Sequence, residues 1–341
     1  MNTLLFFISA RKIFSGVAGK EETMKAVVIY EAGGVDKLVY QDVETPTVKP
    51  GWSLVKVMGF GINRSEIFTR QGYSESVRFP RILGIECVGI VAVSMDRERI
   101  PEGTKVVSIM GEMGRAFDGS YAEYVLLPNE QIYKVQTHLD WPIMAAVPET
   151  YHTAFGTLRN LKIENSDAVL VRGAASGVGV AFAKLLKGKY PKAHLYGSTR
   201  NAGKTDRLME AGFDEVIVDH SGCLDTELSF DKIADLVGPA AMADSLAHLK
   251  DGGILCNTGL LGGKWTIDNF DIITDLGSGK YITGFYSGLV DEASLQALFD
   301  MIAKYHIDAA PEKIFSLADI RQAQAYLDSA ESFGKVVVVN E

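Results

Sequence analysis

The stretch that decides the fold is Val169-Leu170-Val171-Arg172-Gly173-Ala174-Ala175-Ser176-Gly177-Val178-Gly179. Its apolar start predicts a buried strand, its glycines a tight turn, and the apolar run 180–186 that follows a helix. Such a turn presents backbone N–H groups and the positive end of the helix to an anion, and glycine lets the backbone approach closely. The stretch therefore predicts a site for the pyrophosphate of a dinucleotide.

The glycine spacing is Gly173-x-x-x-Gly177-x-Gly179, which departs from the common G-x-G-x-x-G pattern. A tight strand-to-helix crossing without any ligand is the alternative interpretation. About 20 residues further on, NAD-specific folds carry an acid for the ribose 2′-hydroxyl. Between Tyr190 and Thr205 this sequence has no Asp or Glu. We therefore expect a dinucleotide-binding site that lacks this acid, and its absence favours NADPH over NADH.

A 2′-phosphate would find hydroxyls and cations at this place instead. Ser198, Thr199, Arg200 and Lys204 follow the predicted second strand. Hydroxyl and cationic groups complement a phosphate through charge-assisted hydrogen bonds. The alternative is that the two cations only cover a solvated loop.

The rest of the chain shows two different secondary-structure patterns. Before residue 141, glycine and proline separate short β-like runs, which predicts a small β-barrel-like domain. After it, strands alternate with helical stretches, which is typical of a parallel sheet with helices on both faces. The end of the chain predicts two amphipathic helices, near 292–305 and 317–329, and a last strand, 335–339, that pairs with the first domain.

We therefore predict an α/β protein in which a β-barrel-type substrate domain, residues 24–150 and 286–341, is split around a nucleotide-binding domain, residues 151–285. Residues 1–23 are interpreted as an N-terminal extension, since Met24 begins a natural first strand. The apolar run 4–8 precedes Arg11 and Lys12, which is the wrong order for a secretory signal. A transit peptide stays open, because no acid precedes Glu21.

Composition limits the classes of function. A formal charge of −9 argues against binding to nucleic acid, whose partners present basic surfaces. No apolar run reaches the roughly 18 residues of a membrane helix, so we expect no membrane partner. Cys87, Cys223 and Cys256 are the only cysteines and are far apart, which argues against disulfides and a structural zinc site. A reducing, cytoplasmic location fits this pattern.

From Met24 to the C-terminus, several segments match one known family in order and spacing. These segments are Gly61-Ile62-Asn63-Arg64-Ser65-Glu66, Arg70-Gln71-Gly72-Tyr73, the run 80–89, Gly119-Ser120-Tyr121-Ala122-Glu123-Tyr124, Thr153-Ala154, the turn 173–179, the run 249–253, Thr258-Gly259 and Gly334-Lys335-Val336-Val337-Val338. They resemble the zinc-independent quinone oxidoreductase branch of the medium-chain dehydrogenase/reductase superfamily.

The resemblance implies a GroES-like substrate domain split around a Rossmann doubly wound parallel-sheet domain, usually in a homodimer. It also implies that no metal is bound. Asn63 and Ile85 stand where zinc alcohol dehydrogenases have a cysteine and a histidine, and an isoleucine cannot bind a metal. Without a Lewis acid, the implied reaction is hydride transfer from NADPH to a quinone or an α,β-unsaturated carbonyl compound.

The resemblance further assigns residues. Asn63 resembles the asparagine beside nicotinamide and substrate, and Tyr73 is close to the position of a proton-donating tyrosine in related reductases. The residues that resemble or flank the cofactor site are Asn63, Thr153, Ala174, Ser176, Gly177, Val178, Gly179, Ser198, Thr199, Arg200, Lys204, His220, Thr258 and Gly259. Phe68 and Glu66 depart from the family, which often has a tyrosine and an aspartate there.

Other interpretations remain at this level. Asn63 would alternatively cap a turn, Tyr73 would be a loop aromatic, and His152 would be either a proton donor or a packed helix residue. A non-enzymatic NADPH-binding redox sensor or structural protein is possible on the same fold. A zinc-dependent alcohol dehydrogenase with displaced ligands is a third alternative, which the scattered cysteines disfavour.

Overall fold

The computed structural model describes residues 22–340, so the expected N-terminal extension lies outside the described residues up to position 21. The strands are β1 (Thr23–Ile29), β2 (Leu38–Glu44), β3 (Trp52–Ile62), β4 (Arg81–Ile82), β5 (Glu86–Val93), β6 (Lys105–Ile109), β7 (Tyr124–Pro128), β8 (Tyr133–Lys134), β9 (Ala168–Arg172), β10 (His194–Thr199), β11 (Glu215–His220), β12 (Cys223–Leu224), β13 (Phe230–Asp235), β14 (Leu249–Asn257), β15 (Tyr281–Gly284), β16 (Lys313–Ser316) and β17 (Val336–Val339).

Helices connect and cover these strands. They are α1 (Arg64–Arg70), α2 (Trp141–Ala146), α3 (Pro148–Leu161), α4 (Gly177–Lys189), α5 (Thr205–Glu210), α6 (Met242–Ala247), α7 (Glu292–Lys304) and α8 (Ile320–Asp328).

The predicted nucleotide-binding region forms a sheet with the order β12-β11-β10-β9-β13-β14-β15. All its pairings are parallel except that of β12 with β11. The strand order reverses between β9 and β13. In doubly wound sheets, this switch point is where the carboxyl ends of the strands leave a crevice for a dinucleotide. The predicted Rossmann topology is confirmed.

A second sheet has the order β16-β17-β3-β5-β6-β8, with β7 also paired to β3. The last strand, β17, pairs antiparallel with β3, so that Val336 lies opposite Ile62. Its valines 336–338 are fully buried. The end of the chain therefore returns to the first, GroES-like sheet as predicted. A run of valines is stable there because both faces of the strand are covered by a core.

Two elements of the described structure, β1 and α3, extend across the predicted domain limits. Strand β1 begins at Thr23, the last residue of the predicted extension, and pairs with β2 from there. Helix α3 crosses the predicted boundary at residue 150, and it packs against α4 and β14 as well as against β5 and β6. One apolar core runs through α2 and α3 into both sheets. The two regions therefore meet along α3, where the candidate site lies.

Candidate functional site

The predicted pyrophosphate turn joins β9 to α4. Gly173 has a φ of +80°, a conformation that favours glycine. Ser176 is the N-cap of α4, and its Oγ accepts a hydrogen bond of 3.1 Å from the N–H of Gly179. The N–H of Ala174 donates to the carbonyl of Ser198, which fixes the turn on the end of β10. The first turn of α4 has the geometry of an anion site.

The turn also contacts the segment that leads into β17. The N–H of Gly334 donates to the carbonyl of Ala175 at 3.1 Å, and Ser176 and Gly334 form a bridge. A β-carbon built on Gly177 would lie 3.2 Å from the carbonyl oxygen of Gly334. A side chain at Gly177 would therefore meet the other domain, rather than only the expected space of the pyrophosphate.

The four candidate 2′-phosphate residues have different environments. Ser198 is 1% exposed, with its Oγ 3.4 Å from the N–H of Gly173, so its hydroxyl lies beneath the turn. Thr199 is buried and bonds to Asn201. Lys204 Nζ donates to the carbonyl of Ser332 at 2.6 Å, and burial lowers the pKa of its ammonium.

Arg200 and His220 are both exposed at the carboxyl ends of their strands, β10 and β11. His220 lies 3.9 Å from Asp225. Of the residues proposed for the 2′-phosphate, Arg200 is the exposed cation, and its long side chain is the one with freedom to move toward a ligand.

Arg172, the last residue of β9, is a feature whose role was not predicted although it lies in the quoted stretch. Its guanidinium is fully buried and donates to Asp219 and Asp244, each at 2.6 Å, and to Ser245 at 3.1 Å. This network joins the ends of β9 and β11 to α6. An arginine at the end of an apolar strand was the only signal for it, and its partners are 47 to 73 residues away.

On the other side of the switch point, threonines line α3 and the end of β14. Thr153 is 5% exposed, and its Oγ1 donates to Glu149 Oε1 at 3.3 Å. Thr157 and Thr258 share a hydroxyl hydrogen bond of 2.8 Å. A β-carbon on Gly259 would come within 2.4 Å of a backbone oxygen, so this position requires glycine. The structure thus brings the predicted Thr153, Thr258 and Gly259 to one region.

Asn63 belongs to a buried polar network that links α1, β5 and β17. Its Nδ2 donates to Glu86 Oε1 at 2.7 Å. Lys335 Nζ donates to both Asn63 Oδ1 and Glu86 Oε1, each at 2.7 Å. The backbone N–H of Glu149 donates to Glu86 Oε2 at 2.7 Å. Although Asn63 is the N-cap residue of α1, its side chain makes no capping bond, so the turn-capping interpretation does not describe its contacts.

Two further carboxyl groups adjoin this network. Burial, followed by the charge of Glu86, raises the pKa of Glu66 to about 8 and that of Glu149 to about 7. Oε2 of each group is buried, and no described residue forms a hydrogen bond with it. We call Glu66, Glu86 and Glu149, with Asn63 and Lys335, the carboxylate cluster. Sequence reasoning did not assign its acids or Lys335.

Tyr73 lies apart from this cluster. Its side chain is 70% exposed and packs edge-on against Phe68 at 6.2 Å. Asn63 precedes α1 and Tyr73 follows it, and seven helical residues span roughly 10 Å. The structure does not bring the two predicted catalytic residues into contact.

His152 is a buried residue of α3. Its ring lies 5.4 Å from that of Phe285, and neither nitrogen has a hydrogen-bond partner in the described part of the chain. Burial lowers its pKa to about 4, so the ring is neutral at pH 7. It has the contacts of a packed helix residue.

Two observations concern metals and membranes. Within the described part of the chain, no three or more His, Cys, Asp or Glu side chains form a group that could hold a metal ion. Ile85 is buried and apolar. Among residues 22–340, no helix combines the length and apolar character needed to cross a membrane.

A split first domain around a doubly wound sheet, with a glycine-rich turn at the switch point whose geometry suits an anion, is the architecture of two-domain dinucleotide-binding oxidoreductases. Two family models agree with this class. The alcohol dehydrogenase GroES-like domain matches residues 49–137, and the zinc-binding dehydrogenase domain matches residues 211–338. Together they cover more than half of the chain. The chain belongs to the medium-chain dehydrogenase/reductase superfamily and is similar to its quinone oxidoreductase branch.

Individual relatives agree. The quinone oxidoreductase of Pongo abelii is 27% identical over 263 residues, covering 74% of this chain and 77% of that protein. The 2-methylene-furan-3-one reductase of Solanum lycopersicum is 25% identical over 331 residues, covering 92% and 79%.

Solved structures show the same fold. The Salmonella enterica yhdH oxidoreductase in complex with NADP has a TM-score of 0.79 at 20% identity, covering 93% of this chain and 100% of that one. Bacillus subtilis yhfP with NAD bound has a TM-score of 0.80 at 23% identity, covering 93% and 99%.

Proposed function

We propose that this protein transfers a hydride from NADPH to a quinone or an α,β-unsaturated carbonyl compound without a metal ion. The observation that carries the proposal is the junction at Gly334 and Lys335. The backbone of Gly334 contacts the pyrophosphate turn, and the side chain of Lys335 holds Asn63 and Glu86. The nucleotide turn and the buried polar network are thus joined by two consecutive residues.

NADPH, when bound, supplies the hydride, and the chain's own residues orient it and the acceptor. Ala174, Ser176, Gly177, Val178 and Gly179 form the turn whose N–H groups bind the pyrophosphate. Thr153, Thr258 and Gly259 line the nicotinamide. Asn63 has its amide fixed by Lys335 and Glu86, so it would be oriented beside the acceptor before the reaction begins.

The polar network also supports the metal-free reaction. The ammonium group of Lys335 already contacts the Asn63 and Glu86 oxygens at 2.7 Å. A second cation at these oxygens would be repelled by it and would have to displace it. Lys335 therefore occupies, with its positive charge, the place where these oxygens would otherwise attract a metal.

The test is a panel of quinones and enones assayed by loss of NADPH absorbance, before and after treatment with a chelator. We expect steady NADPH consumption that chelation does not change. Activity that is lost on chelation and restored by zinc would establish the zinc-dependent alternative. Cofactor binding without turnover of any acceptor would establish the non-enzymatic one.

We predict that NADPH binds more tightly than NADH and that Arg200→Ala weakens NADPH binding by about 1–3 kcal/mol, the range for a hydrogen bond to a charged group. NADH lacks the 2′-phosphate, so its binding should barely change. Calorimetric titration measures both. Arg97→Ala, at an exposed arginine of the other domain, is the control.

We expect Lys204→Ala to discriminate less between NADPH and NADH, because Lys204 also bonds to Ser332 and so links the two domains. Equal or tighter binding of NADH by the unmodified protein would contradict the assignment of Ser198, Thr199, Arg200 and Lys204 to a 2′-phosphate. His220 is proposed only to lie against the adenosine.

We also propose that the protein is a cytoplasmic homodimer. Within the described residues β15 pairs with β14 alone, so it is an edge of the nucleotide-binding sheet. Large side chains are exposed on and after it, namely Tyr281, Ile282, Tyr286 and Leu289. An exposed edge with apolar side chains favours pairing with another strand. Sedimentation should give about twice the mass of one chain.

A further inference from the structure

Glu149 has one oxygen that is satisfied and one that is not. Its Oε1 accepts hydrogen bonds from Thr153 Oγ1 at 3.3 Å and from Ser287 Oγ at 2.9 Å. Its Oε2 is buried and has no hydrogen-bond partner among residues 22–340. A buried polar oxygen left without a partner costs free energy, so an unpaired one marks a place for a proton or a ligand.

The charges around Glu149 explain why it holds a proton. Glu86, on β5, accepts a hydrogen bond from the backbone N–H of Glu149, and Lys335, just before β17, is bonded to Glu86 and Asn63 rather than to Glu149. The cation of the cluster is therefore already paired with another carboxylate. Burial, and next the Glu86 charge, raise the pKa of Glu149 to about 7, against the opposing effects of Ser287, Lys335 and Thr153.

Its place in the fold is at the junction of the two domains. Glu149 lies one helical turn before Thr153 on α3, and Thr157, one turn later, bonds to Thr258 at the end of β14. The carboxyl group therefore lies on the same face of α3 as Thr153 and Thr157, close to the residues proposed to line the nicotinamide. Tyr73, the other candidate acid, is exposed beyond the far end of α1.

We propose that Glu149 is the catalytic acid that protonates the substrate carbon during enone reduction, an inference that rests on the proposed function. The hydride leaves C4 of NADPH and forms a bond to the β-carbon, so that NADPH is oxidised and the C=C bond is reduced. The electron pair of that bond moves onto the enolate. The Oε2–H bond of Glu149 then breaks as the proton bonds to the α-carbon, and the resulting carboxylate regains a proton from water.

Glu149→Gln is the test, because glutamine keeps the size and the acceptor oxygen but has no acidic proton. Enone turnover should fall by roughly 10²–10⁴-fold, the usual contribution of a general acid, while NADPH binding and quinone reduction change by less than about threefold, since a reduced quinone takes protons from water. Glu164→Gln, at an exposed glutamate just beyond α3, is the matched control. Glu149→Asp keeps a carboxyl group and should restore part of the activity.

The pH profile distinguishes an acid from a structural residue. The active form is the protonated one, so kcat/KM for the enone should fall about tenfold per pH unit above a pH of about 7. In Glu149→Gln this decrease above pH 7, the alkaline limb of the profile, should disappear. In D₂O the unmodified enzyme should place deuterium on one face of the α-carbon, whereas the variant should give both faces.

Each contrary outcome has one meaning. If Glu149→Gln keeps the rate, the limb and the facial selectivity, the inference is overturned. If Tyr73→Phe removes the limb instead, Tyr73 is the acid and the inference is overturned as well. If the unmodified protein reduces no quinone and no enone, the proposed function itself fails.

Discussion

Replacing Lys335 with methionine should destabilise the protein by about 3–5 kcal/mol, the usual cost of leaving a buried charge without its partner. The Glu86 side chain is fully buried and that of Lys335 is 5% exposed, so water cannot compensate either one. In the variant, Glu86 would keep the Asn63 amide and the Glu149 N–H but no cation. Urea unfolding with an unchanged slope measures the loss.

The double variant Glu86→Leu with Lys335→Met is the control. Removing both charges avoids the unpaired carboxylate, so the double variant should be more stable than Lys335→Met alone. It should remain less stable than the unmodified protein, because the Asn63 amide and the Glu149 N–H lose their acceptor. A loss below about 1 kcal/mol in the single variant would show that the ammonium and the carboxylate do not depend on each other.

Gly177→Val should weaken NADPH binding by roughly a thousandfold, about 4 kcal/mol. A β-carbon at this position would lie 3.2 Å from the Gly334 carbonyl and 3.5 Å from a Thr150 methyl group. Valine adds two methyl groups in this space, so the turn must shift away from β17. The N–H groups that bind the pyrophosphate then lose their alignment.

Gly177→Ala provides the graded comparison, because alanine adds only the β-carbon. We expect a loss of less than about tenfold, and the ratio between the two variants reports the space beside Gly334. Calorimetry on samples with matched melting temperatures gives both affinities. Normal NADPH binding by a folded Gly177→Val protein would mean that the dinucleotide does not use this turn.

The fold was predictable because its signals are local. Strand β9, the turn and α4 occupy consecutive residues, and their periodicity and glycines could be interpreted without any partner. The bounds of helix α3, which joins the two regions, were not predicted, although one interpretation of His152 placed it in a packed helix. All its residues from Thr150 to Leu158 are buried because it packs on several elements at once, so its polar residues do not mark a solvent-exposed face.

The site was predictable in part. Asn63 and Thr153 were assigned from the resemblance, but their contacts depend on distant residues. Lys335 is 272 positions from Asn63, and Glu86 lies 23 positions from it. No periodicity links such residues, because only the pairing of β17 with β3 brings them together. The burial that raises the pKa of Glu149 likewise depends on the tertiary structure.

The alignment of β17 with β3 places Val336 opposite Ile62 and so fixes which side chain meets Glu86. Side chains alternate between the two faces of a strand, so a slip of one residue would bring a valine methyl group against the buried carboxylate and turn the lysine to the opposite face. Four valines in a row would tolerate such a slip. Lys335 disfavours the slipped pairing, because only the observed register places its ammonium group against Glu86. The side chain that orients the Asn63 amide therefore also specifies the register of the sheet.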